Sequence, residues 1–291
     1  MILEIAKATL SFKSQPSLKL DPILFPFLSQ KRAQLSVHSS FKAPPSLKEK
    51  RPFYERENTY RFYRISKGFL IQTNRAALES ELRKFSNPAF LGNLPKAILL
   101  DRSLTKATFF WESGKRKVPF HVLWHHVYLL ISHLLTVQRR GIFVHAGGIS
   151  DHGRGFLFVG PSGAGKSTLA RIFERQKGVS VLGDDFMVIR KQKEGPWIYG
   201  TPLTFLSSPP REGVPLEAIF FISHGRRNAL KKITPRESLG RFLSQVPPIL
   251  WVPEGLSFSA QFSLDLCTTL PTYALAFAPD EKVVSFLREI F

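Results

Sequence analysis

The stretch FLFVGPSGAGKSTLARIF, Phe156 to Phe173, decides how the rest of the chain is read. Its first four residues, Phe156–Val159, have the length and apolar character of a short buried strand. Gly160 ends that run, and Gly160, Gly165, Lys166 and Ser167 satisfy the spacing G-x-x-x-x-G-K-[ST]. In such a loop glycines let main-chain N–H groups turn inward around phosphate oxygens, while the lysine is a point charge for the terminal phosphates. Ser162, Gly163, Ala164 and Thr168 complete the candidate nucleotide cradle, and the hydroxyl of Ser167 is expected on a Mg²⁺ ion. Leu169, Ile172 and Phe173 then recur on one helical face, with Gly178 placed to close the helix. A helix opening at Lys166 aims the positive end of its dipole at the same anion. Strand, loop and helix come in the order phosphate binding needs, so a nucleotide with Mg²⁺ is the expected ligand.

At 291 residues and 43% hydrophobic content, the chain can bury a full core and is long enough for two domains. Its one cysteine, Cys267, cannot make an internal disulfide. The opening MILEIAKATLSFKSQ carries Glu4 inside its apolar portion and has no sustained apolar run, so no secretory leader is expected. The most apolar helix candidate, His121 to Val137, contains His121, His125, His126 and His133 and lacks a clean run of membrane-spanning length. A cytoplasmic protein without a membrane span is the expectation. The net charge of +19 is uneven, with 24 basic against 9 acidic residues over 1–150 and 17 against 13 over 151–291. Such an excess attracts nucleic acid, anionic lipid or an acidic protein. The segment RPFYERENTYRFYR, Arg51 to Arg64, interleaves arginine with rings as a single-strand-binding surface would. It also alternates as a strand, Tyr60 and Phe62 opposite Arg61, and no other nucleic-acid module is present, so nucleic acid is not the expected partner.

Punctuation along the chain suggests a β-rich N-terminal domain, 1–118, and an α/β nucleotide-binding domain, 119–291. In the first, Ile2–Phe12, Tyr60–Thr73, Ala97–Asp101 and Ala107–Glu112 read as strands, and HSSFKAPPSLKEKRP reads as a loop. His121–Arg139 reads as a helix bridging the two parts, its histidines lacking a metal-site spacing with a third ligand. In the second, GIFVHAGGIS and FLFVG flank DHGRG, which predicts a hairpin, so the strand feeding the loop pairs antiparallel with its predecessor. VSVLGDDFMVI predicts a strand that breaks at Gly183 into paired aspartates. Thr234, Pro235 and Glu237 have the spacing of a capped helix start, and Asp280 is placed to cap the final helix.

Asp184 and Asp185 are the second chemical signal. A carboxylate at a strand end beside the phosphate loop can hold Mg²⁺, and its neighbour can accept a proton from an attacking hydroxyl. The pair follows Lys166 closely enough to leave room for one helix between them. His145, in FVHAGG on the preceding strand, is positioned to reach the site across the hairpin.

The succession HAGGISDHGRGFLFVGPSGAGKSTLARIF…VLGDDFMVI resembles the catalytic domain of HPr kinase/phosphorylase and its relatives. The resemblance implies an α/β P-loop kinase domain of phosphoenolpyruvate carboxykinase-like type. It carries a role over to His145, Lys166, Ser167, Asp184 and Asp185, with Asp184 and Asp185 shared between metal binding and catalysis. The activity it implies is Mg²⁺-dependent transfer of the ATP γ-phosphate to a serine of a protein or peptide. The likeness is strongest over Ile142 to Ile189, while GTPL…PLEAIFFISHG and PDEKVVSFL are similar to HPr-kinase-like proteins found beside peptide-modifying enzymes. The Gly- and Arg-bearing signature that supports the reverse, phosphate-removing reaction is not recognisable, so that reaction is not expected here. Arg211, Arg226 and Arg227 are candidates for transition-state charge. An acidic acceptor would suit the basic first domain, and an oligomer is compatible with the sequence. Two other readings keep the same site: phosphorylation of a small molecule such as free serine, and a regulatory protein whose bound ATP switches partners without transfer.

Overall fold

The computed structural model describes residues 1–13, 17–19, 21–56, 58–82, 94–112, 117–202, 204, 209–247 and 252–291. The chain is mixed α/β, with two large sheets and a few helices among the described residues. It divides into two compact units, Met1–Leu134 and Leu135–Phe291. The division falls within the helix Trp124–Val137 and not ahead of it, as the sequence suggests. Side-chain contacts give the reason. His126 stands edge-on to Tyr60 and beside Phe109, and His133 packs on Phe69, so most of the helix belongs with the first unit. The helix itself is preceded by a 3-10 turn, Phe120–Leu123, where the sequence predicts α-helix throughout.

The first unit is built on an eight-stranded sheet. In spatial order its strands are Ile2–Ile5, Ala8–Lys13, Leu35–Ser40, Lys106–Phe110, Ala97–Asp101, Gly68–Thr73, Tyr60–Ile65 and Tyr54–Arg56. Leu35–Ser40 pairs parallel with both of its neighbours, and every other pairing is antiparallel. Two segments that read as single strands are hairpins. Ile2–Phe12 folds back at Ala6 and Lys7, both with positive φ (47° and 59°), and Tyr60–Thr73 folds back between Ile65 and Gly68. A tight hairpin needs such left-handed backbone, which glycine or asparagine usually announces; Ala-Lys carries no such mark. No helix among the described residues is long and apolar enough to cross a membrane.

In the second unit the central element is the long strand Gly141–Asp151. It turns at His152 and Gly153, both with positive φ, into Arg154–Val159, which pairs with it antiparallel as the sequence predicts. Arg154–Val159 has a parallel partner on its other edge, Val214–His224, which pairs parallel in turn with Thr272–Phe277. Ala229–Lys232 closes that side. The strand feeding the loop is therefore interior to the sheet and buried on both faces, which explains its unbroken apolar run. Phe156 and Phe158 face a cluster with Leu169, Ala170 and Phe173 of the helix Lys166–Glu174 and Val283, Val284 and Leu287 of the helix Lys282–Arg288. Leu157 and Val159 face the other way, toward Phe242 of the helix Pro235–Leu243 and Phe258 and Phe262 of the helix Pro253–Thr269.

The other edge of Gly141–Asp151 carries two strands end to end. Val179–Gly183 pairs with its second half and Phe186–Gln192 with its first, both antiparallel. The register of the two is continuous apart from a bulge opposite Gly148 and Ile149, and Asp184 and Asp185 occupy the gap between them. The bulge falls at Leu182, before the gap, and ladder pairing lapses over Asp184 and Asp185, leaving one carboxylate buried and the other partly exposed.

Candidate active site

Ala146 and Gly147, in the middle of the long strand, are the common neighbours of the loop and the aspartates. Ala146 lies opposite Val159, the last residue before Gly160, and its N–H donates to the carbonyl of Asp185 at 3.0 Å. Gly147 separates the lysine from the first aspartate. A Cβ added there would lie 3.6 Å from Cβ of Lys166 and 3.8 Å from Cα of Asp184. The absence of a side chain at this point leaves space between the two charged groups.

The loop has the left-handed backbone its glycines allow. Gly163 has φ 82° and Gly165 has φ 98°. At Gly165 a Cβ would approach Cζ of Phe277 to 2.7 Å and Cε1 of His224 to 3.2 Å, so no other residue fits. Gly165 is also the N-cap of Lys166–Glu174, and the first intrahelical bond is donated by Leu169 to Gly165. The N–H groups of Lys166, Ser167 and Thr168 precede that bond and have no intrahelical acceptor, which makes this helix start a site for an anion. Ser162, Gly163 and Thr168 are exposed, Ser167 is half-buried, and Ala164 is buried. His224 steadies the loop, its Nε2 lying 2.8 Å from the carbonyl oxygen of Gly163.

Lys166 is 6% exposed, and its Nζ donates to the carbonyls of Gly160 at 2.8 Å and Pro161 at 3.0 Å. Burial holds its pKa below the ordinary lysine value, and the charges of Asp185 and Asp184 act in the opposite direction. The two aspartates have different surroundings. Asp184 is 2% exposed and accepts a 2.6 Å hydrogen bond from the hydroxyl of Thr204. Asp185 is half-buried, and its Oδ1 lies 3.1 Å from Nε2 of His145. The other ring nitrogen, Nδ1, lies 3.2 Å from Oε1 of Gln245, whose main-chain carbonyl accepts the His145 N–H at 2.8 Å. Phe186 packs beside the imidazole, with ring centroids 5.5 Å apart. Both ring nitrogens are thus engaged, and the ring is aimed at Asp185.

Four of the site residues read from sequence therefore converge around Ala146 and Gly147, His145, Lys166, Asp184 and Asp185, while Ser167 follows Lys166 in the helix start. The candidate arginines do not converge to the same degree. Arg211 pairs with its neighbour Glu212 at 3.2 Å, and Arg226 and Arg227 are exposed in the turn just after His224. Thr204, Gln245 and His224 were not singled out by sequence. His224 had a usable signal, since it ends a strand parallel to the loop strand, and ligands of such sheets gather at those ends. Thr204 and Gln245 had none, because each meets its partner only through the fold.

The arrangement sets a buried point charge and helix N–H groups on one side of Gly147 and a buried carboxylate on the other, with a half-exposed carboxylate–imidazole pair beside them. Among the described residues no group of three or more His, Cys, Asp or Glu side chains is gathered to enclose a metal by itself. Mg²⁺ does not need one, since it is commonly bound by one or two carboxylates together with substrate phosphates. Asp184 and the Ser167 hydroxyl are oxygen donors of the kind such an ion takes. Compared with known proteins, the chain matches no family model and no curated protein.

Proposed function

We propose that this chain is an ATP- and Mg²⁺-dependent serine kinase of HPr kinase type, with a P-loop domain similar to that of phosphoenolpyruvate carboxykinase. The observation that carries the reading is the placement of Lys166 and Asp184 on either side of Gly147, with a second, more exposed carboxylate held by His145. A phosphate-binding loop alone would suit any nucleotide hydrolase. A carboxylate–imidazole pair beside it supplies what phosphoryl transfer to a hydroxyl also needs, a group to take the proton.

In this reading the loop amides and Lys166 bind the β- and γ-phosphates. Asp184, fixed by Thr204, and Ser167 would hold Mg²⁺, which when bound neutralises charge on the phosphate oxygens. Asp185 orients the serine hydroxyl and takes its proton as the oxygen attacks the γ-phosphorus, and the bond from that phosphorus to the bridging oxygen breaks to leave ADP. His145 is the positioning residue for Asp185, itself anchored by Gln245. Side chains of Asp185 and His145 are 30% and 26% exposed, an openness that favours an acceptor carried on a polypeptide over one enclosed in a small pocket.

Transfer of label from γ-labelled ATP to proteins in a lysate of the source cells tests the reading, with Lys166→Ala as control. Phosphoserine formed by the wild-type chain alone is the expected result. Equal labelling by both forms would remove the kinase claim. Labelling of free serine would change the acceptor, and ATP binding with no transfer at all would favour a regulatory switch.

A further inference from the structure

The first unit has a groove on its sheet that is not explained by packing. Along Ala8–Lys13, the residues Ala8, Leu10 and Phe12 are buried hydrophobics, while Ser11 and Lys13 alternate with them on the opposite face. Along Leu35–Ser40, Leu35 and Val37 are buried, and Ser36 and His38 share the face of Ser11. The register puts Ser11 beside Ser36 and Ser36 beside Lys106, with Lys13 beside His38. Ser11 donates to the hydroxyl of Ser36 at 3.0 Å. With Arg32, Gln34 and Thr105 these residues line an open groove of about 620 Å³.

Among the described residues no aspartate or glutamate lines it. Several acids of this unit are engaged elsewhere. Glu4 pairs with Lys31, Glu55 with Arg61, and Glu112 with Arg75 and Lys96. Asp101, the acid next to the groove in the chain, accepts from the hydroxyls of Ser103 and Thr105 and from the N–H groups of Thr105 and Lys106. Lys13, Arg32 and Lys106 have no ion-pair partner among the described residues, and all three are exposed. His38 registers the resulting field: burial, then Lys106 and Lys13, hold its pKa below the ordinary histidine value.

We infer that this groove docks an acidic segment of polypeptide, and, on the kinase reading above, that the segment belongs to the phosphate acceptor. Uncompensated cations call for an anion. Hydroxyl and amide groups between them match the donors and acceptors of a peptide backbone. Among the described residues the lining contains no Phe, Tyr or Trp on which bases could stack, which disfavours a single-stranded nucleic acid. Its one large apolar residue among those described is Ile2, too little to insert into a bilayer.

Binding of a fluorescent Glu- and Ser-containing peptide to the full chain, measured without nucleotide, tests the inference. The expected result is saturable binding that weakens with salt, is absent for the Lys-for-Glu peptide, and falls on the order of tenfold or more in Lys13→Ala/Arg32→Ala/Lys106→Ala. Lys106→Glu is the second variant, checked by circular dichroism alongside the first. Undiminished peptide binding by both folded variants overturns the inference. So does groove-dependent binding of oligothymidine, or of phosphatidylserine-containing vesicles, in place of the peptide. The two claims fail separately. Peptide binding that depends on the groove, without any phosphoryl transfer, would remove the kinase and leave the docking surface; transfer indifferent to the groove would do the reverse.

Discussion

Acidification offers a quantitative test of the first unit. His126 and His133, on the helix Trp124–Val137, are 0% and 1% exposed. Nε2 of His126 lies 3.3 Å from the Thr73 hydroxyl, and the ring stands edge-on to Tyr60. Burial, with the charge of His125 as a second cause, lowers the pKa of His126 from 6.5 to about 3; burial alone lowers that of His133 to about 4. Both folded values lie below the unfolded one, so below pH 6.5 the unfolded chain binds protons that the fold refuses. The stability these groups contribute as neutral side chains is complete above pH 6.5 and is lost as pH falls from there toward about 4 for His133 and about 3 for His126. At about 1.36 kcal/mol per pH unit, moving to a pH about 1.5 units below the unfolded pKa removes roughly 2 kcal/mol per histidine, or about 4 kcal/mol for the pair. That figure requires only that both folded values lie below the chosen pH. Hydrogen exchange of the amides between Val127 and Leu135, read by mass spectrometry and corrected for intrinsic rate, should show protection falling by about 10³ on acidification to near pH 5. In His126→Asn/His133→Leu the fall should shrink by about 10³, leaving the part contributed by His125, whose pKa burial also lowers to about 4. The comparison is between slopes, so a variant of lower overall stability still serves. An equal loss of protection in both proteins would refute the reasoning.

Two substitutions in the second unit have defined outcomes. Gly165→Ala forces a left-handed alanine, worth about 1–2 kcal/mol, into contact with Phe277, and it should abolish the thermal shift produced by Mg²⁺-ATP; a normal shift would show that the loop does not hold phosphate as described. Thr234→Ala removes the side chain that accepts from the Glu237 N–H at 3.2 Å and should cost about 1 kcal/mol in urea denaturation.

Much of the candidate site was legible because its parts are local. The loop, the hairpin at His152–Gly153 and the Asp184–Asp185 break are each written within a few consecutive residues. What holds them was not. Thr204 meets Asp184 across twenty positions and Gln245 meets His145 across a hundred, and neither residue type announces such a contact. In the first unit Leu35–Ser40 overlaps a segment that reads as loop, because a parallel strand depends on neighbours far away in the chain. Local capping was only partly readable. Thr234 caps its helix and Asp280 accepts from the Lys282 N–H at 3.0 Å, but Glu237 turns forward to Arg241 at 2.7 Å.

The loop and the aspartates hang from opposite edges of one strand, and this gives the site a gauge. Neighbouring strands lie about 4.8 Å apart, so the backbones bearing the two halves are held roughly 10 Å from each other by two rows of main-chain bonds. Opening or narrowing that jaw would mean tearing Gly141–Asp151 from a neighbour. Whatever fits this protein to one molecule and not another must therefore act at the rim, where a side chain can swing without disturbing the ruler beneath it.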